Sequence, residues 1–337
     1  MGKVRDRLRE RLDFKERKMK GTTMKTVCIR RGLVSVGVAA MVVFCLRAEE
    51  QITLWPEGAM PVATTKGVEV GAEQVSEKGI VKNVSVPAIE VFLPTNAAQK
   101  RMGVVICPGG AYGCLDFAHE GRRTARFLNS IGVAAFVLKY RVRPYPKGAA
   151  LADLQRALSV IRSNAKEWNL SKSHIGVMGY SAGGHLAVRG VAVNGKRTYA
   201  PIDAVDEERA APDFAVLVYP AYLSNEGKVP PDIQPALTNS TPMFLMAGLA
   251  DLYRGSGVGY FSAHVAKNRW PKIEAHFYPG GCHGFGVTTK PHNDVYKWER
   301  LLATWLRRQG LGIKAKVDTS LDAADYTPIE PEEGDVE

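Results

Sequence analysis

Metal-binding cysteine pairs, a membrane-length apolar run and a charged body are all missing from this chain. Only five cysteines occur in 337 residues, and none shows metal-ligand spacing, so nothing points to a zinc site or any other metal cofactor. Cys28 and Cys45 lie in the N-terminal segment. Cys107, Cys114 and Cys282 remain. Their odd number allows one disulfide and a free thiol in an oxidising compartment, or small buried apolar side chains. The N-terminal apolar stretch Leu33 to Leu46 is 14 residues long, short for crossing a bilayer. The net charge of +11 is also misleading. The first 47 residues hold 13 Lys+Arg and 4 Asp+Glu, leaving 32 basic and 30 acidic residues for the other 290. The body is nearly neutral, which argues against a nucleic-acid or membrane-surface partner. There is no internal repeat and no domain-sized linker.

What is present is ordinary globular composition, 45% hydrophobic and 23% charged, with punctuation at both ends. Lys25, Arg30 and Arg31 precede the apolar stretch, and Leu46-Arg47-Ala48 follows it. This reads as a secretory signal cut after Ala48, with an uncleaved anchor as the alternative. Met24 is a second candidate start. The expected organisation is an extension and signal over 1–48, one domain over 49–312, and an acidic, disordered tail over 313–337. The expected location is secreted or periplasmic.

After an extended lead-in, Glu49 to Gly79, short apolar runs alternate with helical spacings. Strands are expected at Ile89–Leu93, Val104–Cys107, Val133–Leu138, His174–Met178, Phe214–Tyr219, Met243–Met246 and Ile273–Tyr278. Helices are expected at Glu120–Ser130, Leu151–Trp168, after Ser181, at Tyr260–Asn268 and at Asp294–Arg308. Runs without polar alternation suit strands buried on both faces, and the alternation of types predicts an α/β fold with a mostly parallel sheet.

Gly179-Tyr180-Ser181-Ala182-Gly183 falls where the fourth of these strands meets a helix. A serine with glycines two residues away on each side suits a turn so sharp that larger flanking side chains would collide. Such a turn presents the hydroxyl above the carboxyl edge of the sheet. Acyl transfer also needs a base, a group that orients it, and oxyanion donors. Asp251 follows the strand Met243–Met246 and is the candidate orienting carboxylate. His283, in Gly280-Gly281-Cys282-His283-Gly284-Phe285-Gly286, is the candidate base. The order Ser, Asp, His suits this layout. Gly110 and Ala111, in Pro108-Gly109-Gly110-Ala111-Tyr112-Gly113, and Ala182 are the candidate oxyanion donors. Tyr112, Tyr222 and Tyr253 are candidates for stacking on a sugar ring. His185 is expected to pack or cap just behind the turn.

These stretches, with His119-Glu120-Gly121 and the run Leu128 to Arg141, resemble α/β-hydrolase esterases of the acetyl esterase and acetylxylan-esterase-like, xylanase-associated group. The resemblance covers about Ile52 to Gly310. It implies the α/β-hydrolase fold, ester hydrolysis, Ser181, Asp251 and His283 as a triad, and export to act on acetylated plant polysaccharide. The segment Leu223 to Asn239 is short, so the cap should be small or absent. The expected activity is a cofactor-free serine esterase acting on acetylated carbohydrate or another small ester. A prolyl-oligopeptidase-type peptidase and a catalytically silent binding protein on the same fold stay open as alternatives.

Overall fold

The computed structural model describes residues 50–62, 68–95, 101–287, 295 and 297–309. The expected signal, its cleavage point after Ala48 and the acidic tail lie outside the described residues. Among the described residues, eleven strands and five α-helices follow in chain order. They are β1 (Glu50–Thr53), β2 (Gln74–Val75), β3 (Ile80–Lys82), β4 (Ala88–Phe92), β5 (Arg101–Cys107), β6 (Leu115–Asp116), α1 (Arg123–Ser130), β7 (Ala134–Lys139) and α2 (Lys147–Ser163). The second half holds β8 (Leu170–Tyr180), α3 (Ala182–Ala192), β9 (Ala215–Val218), β10 (Met243–Gly248), α4 (Arg254–Lys267), β11 (Ile273–Tyr278) and α5 (Trp298–Arg308).

Eight strands form one sheet in the order β1-β4-β7-β5-β8-β9-β10-β11. Neighbours from β7 to β11 run parallel, while β4 pairs antiparallel with both β1 and β7. The central strands β5, β9 and β10 are buried at every position. Such strands have no solvent face, which is why their sequences are apolar runs and not alternations. A small sheet, β2-β3-β6, stands beside the main one.

The structure departs from the sequence expectations in local detail. The lead-in is not merely extended: Glu50–Thr53 pairs with β4 and Gln74–Val75 enters the small sheet. Two-residue strands carry no period to read, so tertiary pairing alone creates them. Helix α2 starts at Lys147 instead of Leu151, with Pro146 in an extended conformation just before it. Helix α4 starts six residues before Tyr260, despite Gly255, Gly257 and Gly259. Glycine disfavours helix by about 1 kcal/mol, but here packing overrides propensity. A methyl group on Gly257 would already sit 3.6 Å from Ala247 and Leu245, so a small residue lets the helix lie close on β10.

One ion pair locks the front of α2 to the end of β7. Arg141 and Asp153 are fully buried, with Arg141 Nη2 2.8 Å from Asp153 Oδ1. The Arg141 backbone N–H and the Trp55 indole N–H also donate to that carboxylate, at 2.9 and 2.7 Å. Arg141 Nη1 reaches the Pro61 and Val62 carbonyls. Every partner is satisfied, which a buried charge requires. Burial nevertheless pushes the Asp153 carboxyl up, against the pull of Arg141.

Candidate active site

The turn after β8 is as tight as its glycines suggest. Ser181 has φ 51° and ψ −117°, a conformation rare for a residue with a side chain. A methyl on Gly179 would overlap the Gly183 carbonyl, and one on Gly183 would overlap the Cys107 carbonyl. The Ser181 N–H donates to the Val218 carbonyl at 3.1 Å, tying the turn to the end of β9. Ser181 is 9% exposed and opens helix α3.

Asp251 and His283 arrive from the next two strands. Asp251 follows β10, is 1% exposed, and accepts the Tyr253 N–H through Oδ1 at 2.7 Å. Its other oxygen, Oδ2, lies 2.8 Å from His283 Nδ1. His283 Nε2 lies 2.7 Å from Ser181 Oγ. The two loops touch through backbone, because a methyl on Gly248 would overlap the Gly281 carbonyl. Gly281 and Gly284 have φ of 86° and 84°, which lets the chain bend sharply on both sides of His283.

The loop after β5 passes directly over Ser181. A methyl on Gly109 would fall 2.9 Å from Ser181 Cβ. The Gly110 carbonyl accepts the N–H groups of Gly113 and Cys114, at 2.8 and 3.1 Å, and so closes the loop. Gly110 and Ala111 both have positive φ, 129° and 53°. Ala182 is the first residue of α3. Tyr140 supports the loop from below, its hydroxyl donating to the Pro108 carbonyl at 2.6 Å.

The three tyrosines separate. Tyr253 is 41% exposed, with its ring 4.8 Å from the His283 imidazole. Tyr222 is half-buried and packs edge-on to Tyr253 at 6.0 Å. Tyr112 is buried instead, at 3% exposure, which corrects its assignment as a stacking surface. Its hydroxyl meets His185 Nδ1 at 2.9 Å, and that polar contact draws the phenol inward. His185 therefore packs behind the turn, and burial holds its imidazole down at about 4. Cys107, Cys114 and Cys282 are all free thiols, so the disulfide considered from sequence does not form.

Residues 89–218 match the BD-FAE family model. An acetylxylan esterase of Xylanibacter ruminicola is 28% identical over 244 residues, covering 64% of this chain and 47% of that protein. Endo-1,4-beta-xylanase B of Butyrivibrio fibrisolvens is 36% identical over 96 residues, 27% of this chain and 15% of that one. The chain thus spans less than half the length of either curated relative. Among solved structures, the acetyl ester-xyloside bifunctional hydrolase of Caldicellulosiruptor lactoaceticus superposes with a TM-score of 0.63 at 26% identity, covering 78% of this chain and 97% of that one. An esterase of Thermogutta terrifontis gives 0.58 at 22% identity, over 79% and 98%, which is a likeness of fold.

This chain has the α/β-hydrolase fold. Its resemblance is to the acetylxylan-esterase-like members of that group. As in other α/β-hydrolase folds, the site gathers at the carboxyl edge of the parallel strands. The connection from β9 to β10 carries only a short 3₁₀ turn, Gln234–Leu237, and no cap helix.

Sequence reasoning assigned no role to Glu120 within this fold. It is buried beneath the site and accepts the Gly109 N–H at 2.5 Å and the Tyr219 hydroxyl at 2.7 Å. Burial pushes its carboxyl up to about 7, against the pull of those two donors. A signal was available. Glu120 stands four residues before Thr124 and eight before Leu128, both fully buried, so a charged residue shares the inward stripe.

Proposed function

We propose that this chain is an exported serine esterase that removes small acyl groups, acetyl above all, from carbohydrate. The observation that carries the reading is the continuous line from Ser181 Oγ to His283 Nε2 at 2.7 Å and from His283 Nδ1 to Asp251 Oδ2 at 2.8 Å. In this reading Ser181 Oγ attacks the ester carbonyl while His283 Nε2 takes its proton. The proton passes to the leaving sugar hydroxyl as the carbon–oxygen bond breaks. Water then attacks the acyl-enzyme with the same help, releasing the acid and restoring Ser181. Asp251 holds the imidazole in the correct orientation and balances the charge it gains. The N–H groups of Gly110, Ala111 and Ala182 would receive the oxyanion. Tyr222 and Tyr253 would flank the sugar.

The acetyl and carbohydrate parts of the reading draw support from the relatives, named as an acetylxylan esterase and an acetyl ester-xyloside hydrolase. Export draws on the basic residues and apolar stretch before Ala48. The test is fluorophosphonate labelling of Ser181, with acid release measured from acetylated xylan, acetylated pectin and aryl acetates. Labelling together with acetate release from one polysaccharide is the expected result. Absence of labelling would leave a silent binding protein. Labelling with cleavage of prolyl peptides and no ester turnover would favour a peptidase.

A further inference from the structure

A carboxylate that the ester chemistry does not consume lies directly under the reacting groups. Glu120 sits in the π-type turn Phe117–Arg122 and is 5% exposed. Each of its oxygens receives one donor, and the two donors belong to different loops. Oε2 takes the N–H of Gly109, the residue before Gly110 and Ala111. Oε1 takes the hydroxyl of Tyr219, at the end of β9. The Tyr219 oxygen in turn accepts the Gly286 N–H at 3.1 Å, three residues past His283. The Tyr219 ring lies 5.0 Å from the His283 imidazole and 4.5 Å from Phe285. Trp298 holds the same loop from the other side, its indole N–H donating to the Gly286 carbonyl at 3.0 Å.

We propose that Glu120 is a positioning residue whose ionised carboxylate clamps the Gly109–Ala111 loop and, through Tyr219, the His283 loop, and that a proton on it slackens the clamp and lowers turnover. The proposal rests on the esterase reading above.

The chemistry follows from donors and acceptors. A carboxylate only accepts, and both of its contacts here are donors. A protonated carboxyl must place its own proton on one of those oxygens. Facing Gly109, that proton would meet a backbone N–H that cannot rotate away. Facing Tyr219, it would compete for an oxygen that already takes the Gly286 N–H, and the phenol's own proton would lose its acceptor. Protonation therefore either breaks the Gly109 link or reverses the Tyr219 link and strands the phenol's proton. The surrounding groups set where this happens. Asp116 on the same turn raises the carboxyl and His119 lowers it. Tyr219 just after β9, Tyr140 just after β7 and Cys114 in the Gly109 loop are the other titratable groups close enough to interact with the carboxylate. His119 also wedges against the His283 loop, since a methyl on Gly286 would overlap its ring. Burial dominates, and the value of about 7 puts the change in the neutral range.

The test uses the full chain with Glu120→Gln and Tyr219→Phe. The readouts are kcat and KM on 4-nitrophenyl acetate from pH 5.5 to 9, the rate of fluorophosphonate labelling, and circular dichroism. At pH 8.5, Glu120→Gln should lose about 10- to 50-fold in kcat with KM within about threefold. The gap from wild type should close below pH 6, because the wild type then carries on Glu120 the proton that the amide mimics. Tyr219→Phe keeps the ring against His283 but loses the hydroxyl; kcat should fall about 5- to 20-fold. Wild-type kcat in Glu120→Gln at pH 8.5, or a deficit constant across the pH range, overturns the proposal. Should Glu120→Gln fail to fold, Tyr219→Phe decides: undiminished kcat overturns it, and a kcat loss at constant KM supports it. If the wild type is neither labelled nor active, the esterase reading falls and this proposal with it.

Discussion

At the scale of single residues, the site concentrates its demands on Ser181. Its backbone occupies a region that costs of order 1–3 kcal/mol for a residue with a side chain, and two glycines make room for it. Under the mechanism proposed above, Ser181→Ala should leave the fold intact and lower turnover by about 10⁴-fold or more, because the acyl-enzyme would lose its nucleophile. Burst kinetics on an aryl acetate check this; a variant keeping a tenth of wild-type activity would remove Ser181 from the role. Two buried titratable groups nearby act on stability with opposite sign. Glu120 holds its proton up to about 7 when folded, against about 4.3 free. Its contribution is complete below the free value and is lost as pH rises towards 7. His185 is held down at about 4, against about 6.5 free. Its contribution is complete above the free value and is lost as pH falls towards 4. Glu120→Gln removes only the first slope. Between pH 5 and 7 its unfolding free energy should gain on wild type by of order 2–3 kcal/mol. Urea denaturation at pH 5, 6 and 7 measures this, and a difference that does not change with pH contradicts it. The same variant should therefore be more stable and less active at pH 8.

At the scale of elements, Asp153 ties α2 to two other pieces of chain, in addition to its buried apolar face. The carboxylate joins three pieces of chain: Arg141 after β7, Trp55 after β1, and α2 itself. Asp153→Ala leaves Arg141 buried without its counter-charge, a change that costs about 3–5 kcal/mol. The measurement is the urea midpoint of the variant; a loss below about 1 kcal/mol would show that the Pro61, Val62 and Ala149 carbonyls suffice for the guanidinium. The elbow shows the same dependence on close approach. Gly183→Ala drives a methyl into the Cys107 carbonyl, so β5 and α3 must separate. The expected outcome is loss of both folding yield and labelling at Ser181, unlike Ser181→Ala, which should lose only the second.

At the scale of the whole molecule, the sheet carries its site at an edge with little above it. Residues 220–242 make a polar connection with one 3₁₀ turn, and Leu252 beside the site is 90% exposed. A long acyl chain gains roughly 0.8 kcal/mol per buried CH₂ only where apolar surface receives it. Aryl acetate should therefore exceed aryl butyrate and octanoate in kcat/KM. A rise with chain length would point to a lipid-like substrate and away from carbohydrate. Under the proposed carbohydrate reading, the exposed Tyr253 ring beside His283 is the flat surface that would stack on a sugar.

The sequence by itself determined the strand–helix order, because strands buried on both faces are mostly apolar, and Val104–Cys107 of β5, β9 and β10 read accordingly as apolar runs. It also made Ser181, Asp251 and His283 nominable, since each lies in a turn just past such a run, where glycines mark the bends. It could not show that His283 and Ser181, 102 residues apart, stand at hydrogen-bond distance. Nor could it reveal that Glu120 accepts a hydrogen bond from the hydroxyl of Tyr219, 99 residues away. A pattern of apolar and polar residues records which side chains leave water, not which distant partner satisfies them there. Tyr112 and Tyr253 are both loop tyrosines by sequence. Only the fold separates them, burying one against His185 and leaving the other open beside His283, because a phenol can go inside only where its hydroxyl finds a partner.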